Sequence, residues 1–320
     1  MKEQSSAGFD KTSYAAHEML YDNEKAAILV STWMKDGTVD AWRHQQMYEC
    51  LDPLLSEVQG SNWLTVGDGR CGTDAHYLEQ HGMTALASDI SDTMLKAAQS
   101  VGFIRQYRKE NAERLSFEDD SFDFVLCKEA YHHFPRPMVA LYEMMRVARK
   151  GVVLIEPDDT PILTDGRHIV KMMVKRLLIR AGFGHRFGDQ RTDIIDCGGN
   201  WYEDAGNFGY SISRREMEKV ALGLDLPQVA FKGLNDVYVE GVEHEALSPD
   251  SKMLRQIKGD VGEMDRKANR GLSRGRFKLL VAMIFKQSPD DRLRRSLSTA
   301  GYDLRDLPRN PYGASGSPGH

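Results

Sequence analysis

The chain has 320 residues, 41% of them hydrophobic and 28% charged, with a formal net charge of −5. These are ordinary globular proportions, sized for one large domain with insertions or two smaller ones. The acidic balance argues against a nucleic-acid partner, and the basic clusters at 171–180 and 266–278 have the spacing of solvated helix faces.

The longest apolar run, Leu279–Phe285, is too short to span a membrane, and the N-terminal Met-Lys-Glu-Gln-Ser-Ser lacks the apolar core of a signal peptide. Cys50, Cys71, Cys127 and Cys197 show no Cys-x-x-Cys spacing, so neither a zinc site nor a disulfide framework is suggested, and free thiols fit a reducing compartment. A cytoplasmic protein without a membrane or nucleic-acid partner is expected.

Residues 1–58 read as an N-terminal helical segment. Apolar residues recur at three- and four-residue steps from Thr12 to about Met34, Asp36-Gly37 breaks the pattern, and Asp40–Val58 reads as a second helix that Pro53 bends or ends. Residues 59–160 then alternate strand and helix. A buried strand (Leu64, Val66) runs into a turn carrying Gly67, Gly69 and Gly72. A helix over 73–80 follows, with His81-Gly82 as its stop. Thr84–Asp89 is a short strand ending on an acid, and 92–100 is a helix with Ser91 as its N-cap. Next come a weak strand within 101–107, a loop at 110–117, a strand at 121–127, a turn at 128–134, a helix at 137–149, and a strand at 152–155 that ends in Glu156-Pro157-Asp158-Asp159.

This alternation predicts right-handed βαβ units, a parallel sheet and a Rossmann-like α/β fold. Residues 161–227 read as an insertion. It holds a helix at 164–180 and an irregular Gly-, Asp- and aromatic-rich stretch with Trp201, Tyr202, Phe208 and Tyr210. A helix at 213–222 closes it, with Ser213 and Glu216 at capping-box spacing. Residues 228–287 complete the core with strands at 229–241 and 277–285 and a helix at 249–267. Residues 288–320 read as a tail, charged and then Pro/Gly/Ser-rich, with a disordered end at 314–320.

The glycine turn is the first chemical signal. Glycine removes the Cβ that would block a ligand's approach, and a helix start offers N–H donors. Asp89 follows Gly67 by 22 positions, where a carboxylate accepts ribose hydroxyls. A dinucleotide dehydrogenase fits this much equally well. Further blocks follow: 111–117 (Asn-Ala-Glu-Arg-Leu-Ser-Phe), 121–127 (Ser-Phe-Asp-Phe-Val-Leu-Cys), 130–134 (Ala-Tyr-His-His-Phe), 143–147 (Glu-Met-Met-Arg-Val) and Ile155-Glu156-Pro157. In this order they resemble the class I S-adenosylmethionine-dependent methyltransferases, specifically the small-molecule branch called type 11, over roughly residues 60–160.

The resemblance implies a seven-stranded, mostly parallel sheet with helices on both faces; the insertion is expected to cover the site as a lid, and its composition shift suggests that it sets acceptor choice. It implies S-adenosyl-L-methionine as cofactor and S-adenosyl-L-homocysteine as product. Gly67, Asp68, Gly69 and Gly72 would line the methionine part, Asp89 and Ile90 the ribose, and Asn111 and Ala112 the adenine edge. Cys127 and Lys128 would border the cofactor. The family's usual acid two residues before the first glycine is here Thr65, and Asp68 is expected to stand in for it at the cofactor's ammonium group.

An oxygen acceptor must lose a proton, so a base is sought beyond the fourth and fifth strands. His132, His133 and Glu156 are the catalytic candidates, His132 first because imidazole titrates near neutrality. Adjacent histidines point in different directions, so only one of the pair is expected to face the cofactor. Glu129, Tyr131, Asp158, Trp201 and Tyr202 are the acceptor-binding candidates, with core packing an equal reading for the aromatic pair. The acids at 156–159 read as a solvated loop, and no metal is expected. Tyr14, Tyr21 and His44 either close over the cofactor or serve the helices that carry them.

The expected function is methyl transfer to a small-molecule oxygen of sugar, nucleotide-sugar or secondary-metabolite type. Two other readings stay open: a nicotinamide-dependent oxidoreductase, and a cofactor-binding but inactive partner protein, which the missing acid at Thr65 keeps in play. A homodimer is among the open oligomeric states.

Overall fold

The computed structural model describes residues 6–9, 11–19, 30, 32–159, 203, 207–270 and 277–311. Its strands are β1 (Asn62–Val66), β2 (Thr84–Asp89), β3 (Tyr107–Lys109), β4 (Phe122–Lys128), β5 (Ala148–Pro157), β6 (Gln228–Leu234), β7 (Leu279–Phe285) and β8 (Asp303–Asp306). They form one eight-stranded sheet in the order β3-β2-β1-β4-β5-β7-β6-β8. The first five run parallel, whereas β7 is antiparallel to β5 and β6, and β8 is antiparallel to β6.

Side chains alternate across this sheet and build a core on each face. Trp63, Phe124, Leu126, Val153, Ile155, Val281 and Met283 point to one side. Leu64, Val66, Val125, Cys127, Val152, Leu154, Leu280 and Ala282 point to the other. Every residue of β4 and of β7 is buried, as expected for strands covered on both faces. The first core is roofed by helices Val39–Tyr48, Thr73–Gln80, Thr93–Ser100 and Asp291–Thr299, the second by Pro137–Val147 and Arg214–Gly223. Among the described residues, no helix is long and apolar enough to cross a membrane.

Several boundaries differ from the sequence reading. The sheet has eight strands rather than seven because the stretch read as a tail contributes a helix, capped where Asp290 accepts from Leu293 N–H (2.8 Å), and then β8. The second N-terminal helix ends at Tyr48 and resumes only at Asp52–Leu55, with Pro53 in its first turn. Ser91 is not the cap of the next helix: its N–H donates to Asp89 Oδ1 (2.8 Å), and the helix starts after Asp92. The Ser213 cap forms as read, with its hydroxyl accepting from Glu216 N–H (3.2 Å). The helix read at 164–180, Trp201, Tyr202, Tyr21, Cys197 and the end at 314–320 lie outside the described residues.

The point where strand order reverses lies between β1 and β4, both of which end near the turn at Gly67. Parallel sheets bind ligands at such a point, beyond the strands' carboxyl ends.

One contact tests the centre of the sheet. A Cβ at Gly151 of β5 would lie 2.7 Å from the carbonyl oxygen of Ile284 in β7. Gly151→Ala should therefore lower the unfolding free energy by about 1–3 kcal/mol as an overpacking change. Urea denaturation reads this directly, and an unchanged midpoint would show that the two strands are less closely apposed.

Candidate active site

A cleft of about 520 Å³ opens beyond the ends of β1, β2 and β4. Its floor is the turn after β1. Gly67 has φ +76, and a Cβ there would lie 2.3 Å from the Cβ of Ala130, so only glycine lets this turn rest against the turn after β4. A Cβ on Gly69 would lie 2.8 Å from a carboxylate oxygen of Asp89. Gly72 instead faces Ile104 and Leu95 in the core and does not reach the cleft, which corrects its assignment from the sequence.

Asp68 lines the cleft, but its carboxylate is engaged. It accepts from Asp74 N–H (3.1 Å), Ala75 N–H (3.0 Å) and the Thr65 hydroxyl (2.8 Å). It therefore caps the helix start, and the N–H donors expected to be free there are taken. Burial, with the charge of Asp74 nearby, raises the Asp68 pKa well above the usual carboxylate range. Thr65 and Asp68 form one hydrogen-bonded unit where an acid was expected at 65.

Asp89 ends β2 beside this turn and accepts from the N–H groups of Ser91, Gly69 and Ile90. Burial pushes its pKa up to about 6 in spite of those bonds and of the His17 imidazole acting from across the cleft. Ile90, Asn111 and Ala112 continue the same wall. Beyond them, Glu113 accepts from the Tyr14 hydroxyl (2.7 Å) and from Arg136 N–H (2.7 Å) and Nε (2.6 Å). Tyr14 thereby fastens helix Ser13–Glu18 over this end.

The opposite end is charged. Lys128 Nζ is buried 3.1 Å from His44 Nδ1, 3.5 Å from Asp74 Oδ1 and 3.6 Å from Glu129 Oε2. Burial opposes its charge, yet Asp74 and Glu129 raise its pKa. Arg70 Nη1 lies 2.8 Å from His44 Nε2. Burial, Lys128 and Arg70 drive the His44 pKa well below its usual value, which leaves a neutral ring between two cations. Asp40 holds both Arg43 and Arg70, and Arg43 reaches Asp236 after β6.

Beyond β4 lies a 3₁₀ turn, Tyr131–His133. Glu156, fully buried at the end of β5, governs it. Its Oε1 accepts from the N–H groups of Ala130 and Tyr131 (both 2.9 Å), and its Oε2 lies 2.7 Å from His132 Nδ1. Burial alone would lower the His132 pKa, but this hydrogen bond and the carboxylates of Glu156, Glu129 and Glu203 raise it. His133 turns toward Glu203, Nδ1 to Oε1 2.5 Å, and burial with the adjacent His132 lowers its pKa.

Of the candidates read from sequence, Gly67, Asp68, Gly69, Asp89, Ile90, Asn111, Ala112, Lys128, Glu129, His132 and His133 line one cleft, together with Tyr14 and His44. Four others do not. Cys127 and Tyr131 are buried in the second core, where the Tyr131 ring packs edge-on to Phe134 and Tyr210. Asp158 forms a bridge to Ile212, and its N–H donates to Lys278. Glu156 stands behind the wall, in contact with His132 Nδ1. Sequence reading missed Arg43, Asp74, Glu113 and Asp236, which come from distant segments, and also Arg70, which lies in plain view within the glycine turn.

Residues 64–155 match the family described as "Methyltransferase domain". Norajmaline N-methyltransferase of Rauvolfia serpentina is 26% identical over 147 residues, covering 43% of this chain and 49% of that protein. Phthiotriol/phenolphthiotriol dimycocerosates methyltransferase 1 of Mycobacterium ulcerans is 34% identical over 113 residues, covering 33% and 40%. The 2-methyl-6-phytyl-1,4-hydroquinone methyltransferase of Synechocystis is 30% identical over 102 residues, covering 31% and 32%. The matches thus span about half or less of the length of these curated relatives.

The anchoring role of Glu156 can be measured. Glu156→Leu removes the acceptor shared by the N–H groups of Ala130 and Tyr131 and leaves both buried without one. It should cost about 1–3 kcal/mol in urea unfolding. A variant as stable as the parent would show that this carboxylate does not hold the turn.

Proposed function

We propose that this chain is a class I S-adenosylmethionine-dependent methyltransferase that methylates an oxygen of a small-molecule acceptor with His132 as general base. When bound, S-adenosylmethionine supplies a methyl group on a sulfonium leaving group, so positioning contributes most of the remaining work.

The residues present suit that cofactor. Gly67 and Gly69 present backbone without side chains to the cleft, and Asp89 offers carboxylate oxygens to a ribose diol at the adjoining wall. Asn111 and Ala112 then border the adenine. Lys128 and Arg70 supply positive charge for the methionine carboxylate. With Asp68 committed to the helix start, the ammonium group falls to Asp74. The lining carboxylates, among them Asp40, Asp74, Asp89, Glu110 and Glu129, outweigh Arg43, Arg70 and Lys128, a balance that favours a ligand with a net positive charge.

The base assignment rests on one observation, the 2.7 Å contact between His132 Nδ1 and the buried Glu156 carboxylate. Nδ1–H donates to Glu156, so the neutral ring keeps its lone pair on Nε2, at the wall of the cleft. Glu156 orients the imidazole and stabilises the cation formed on proton uptake, as the carboxylate of a hydrolase triad does. Glu129 is the proposed acceptor-side neighbour, and the insertion at 161–227 the proposed lid. The Thr65–Asp68 pair accounts for the atypical position 65 without loss of the cofactor cradle, which favours an active enzyme over an inactive partner.

Calorimetry with S-adenosylmethionine, S-adenosylhomocysteine and NADH tests the first half. We expect the two sulfur nucleosides to bind and NADH not to; NADH binding alone would replace this reading with an oxidoreductase. Asp89 accepts ribose hydroxyls only as a carboxylate, so cofactor affinity should be full above its pKa of about 6 and fall as the pH drops through it. Asp89→Asn should bind weakly and lose this pH dependence; a flat profile in the parent would remove the ribose assignment.

Turnover of methyl-labelled cofactor against a panel of small phenols, sugars and hydroxylated metabolites tests the second half. His132→Ala should lower kcat by about 10²–10⁴-fold with cofactor affinity preserved. Undiminished kcat would sink the base assignment.

A further inference from the structure

At the rim of the cleft, His17, His133 and Glu203 each offer a ligand atom within 4.8 Å of the other two. They come from helix Ser13–Glu18, the turn after β4, and the insertion. Glu203 sits between the two rings, with Oε1 2.5 Å from His133 Nδ1 and Oε2 3.8 Å from His17 Nε2.

A second layer of contacts orients all three. His17 Nδ1 lies 2.7 Å from the Ser13 carbonyl oxygen, so Nδ1 carries the proton and the Nε2 lone pair is turned to Glu203. Asn207, itself buried, donates from Nδ2 to Glu203 Oε2 (2.9 Å) and to the His133 carbonyl (3.0 Å), and its Oδ1 accepts from the Ser13 hydroxyl (3.1 Å). One amide thus ties together the three segments that carry the cluster. A backbone carbonyl fixing a histidine tautomer and an amide fixing a carboxylate are the outer contacts that metal ligands characteristically have.

We propose that His17, His133 and Glu203 form a binding site for a divalent transition-metal ion of the Zn²⁺ class. Two imidazoles and one carboxylate suit Zn²⁺, Fe²⁺ or Co²⁺ and are a poor set for Mg²⁺ or Ca²⁺, which prefer all-oxygen cages. Bonds of about 2.0–2.2 Å would bring the ligand atoms to roughly 3.3 Å from one another, a closure of about an ångström or so within reach of side-chain rotation. The ion takes the place of the proton between His133 Nδ1 and Glu203 Oε1, and the imidazole carries its proton on Nε2 instead. Three protein ligands leave room for water or an acceptor oxygen. His17 and His133 line the cleft, so a hydroxyl-bearing acceptor could bind there. That last step rests on the proposed methyl transfer; the metal site does not.

The test uses the full chain without an affinity tag, stripped with a chelator and titrated with Zn²⁺ alone and with Co²⁺ alone. One equivalent should bind. His17→Ala and Glu203→Ala should each weaken affinity by about a hundredfold or more, and Asn207→Leu by about tenfold. The Co²⁺ protein should show visible ligand-field bands without a thiolate charge-transfer band, which separates this site from the cysteines. This spectrum is read on the parent protein, so it stands even if a variant fails to fold.

Absence of one-to-one binding, parental affinity in both alanine variants, or a thiolate band would each overturn the proposal. Cofactor affinity measured on the same chelated samples keeps the two readings separate: it should persist without metal, and its loss in the presence of a metal site would count only against the methyltransferase reading.

Discussion

Glu156 ends β5 with its carboxylate shut away from water, an arrangement tolerable only because donors converge on it from one short turn. The consequences spread outward from there. The turn after β4 is drawn back over the end of β5, and Ala130 comes to rest on Gly67. Glu129 is carried into a left-handed conformation, φ +50, which an ordinary side chain adopts only when its surroundings insist. His132 is fixed in tautomer and direction by the same contact. The floor of the cleft and its candidate base are therefore set together by one buried acid that does not itself line the cleft.

At the other end of the cleft, charge is arranged differently. Lys128, Arg70 and Arg43 each have an anion within reach, and the neutral His44 ring fills the space between the first two. A cationic imidazole there would face repulsion from both sides, so the ring spaces two cations that have to stay apart. These groups come from a helix before the sheet, from the glycine turn, from β4 and from the loop after β6. The charge pattern thus depends on the completed fold, and it locks the N-terminal helix to a segment nearly two hundred residues away, through Arg43 and Asp236.

Much of this was legible in the sequence where the signal was local. The alternation from Trp63 to Glu156 yields the strands along the chain because each buried run is short, and three of them stop at Gly67, Asp89 and Pro157. Gly67, Asp89 and Lys128 could be read onto one cleft because they sit at strand ends, where a parallel sheet places its ligand contacts. Asp68 was misread because a carboxylate in a glycine turn looks free until the helix N–H groups it caps are seen. Tyr131 and Cys127 were misread because in-or-out at a strand end turns on one residue of phase, and the register shift between Phe122 and Phe124 in β4 blurs that phase. Asn207 and Glu203 gave no signal at all. Their significance comes from meeting Ser13, His17 and His133, and no spacing along the chain reports that.

The two borders of the sheet share a design. One is β3, three residues long with Arg108 and Lys109; the other is β8, four residues with Asp303, Arg305 and Asp306. Short, charged outer strands discourage a second sheet from pairing onto them. β8 also shields β6, whose Val229, Ala230 and Phe231 are fully enclosed only while that border strand lies alongside. Both borders are thereby poor templates for sheet continuation. The seventeen residues at 290–306, none of which lines the cleft, complete this border of the sheet rather than the site.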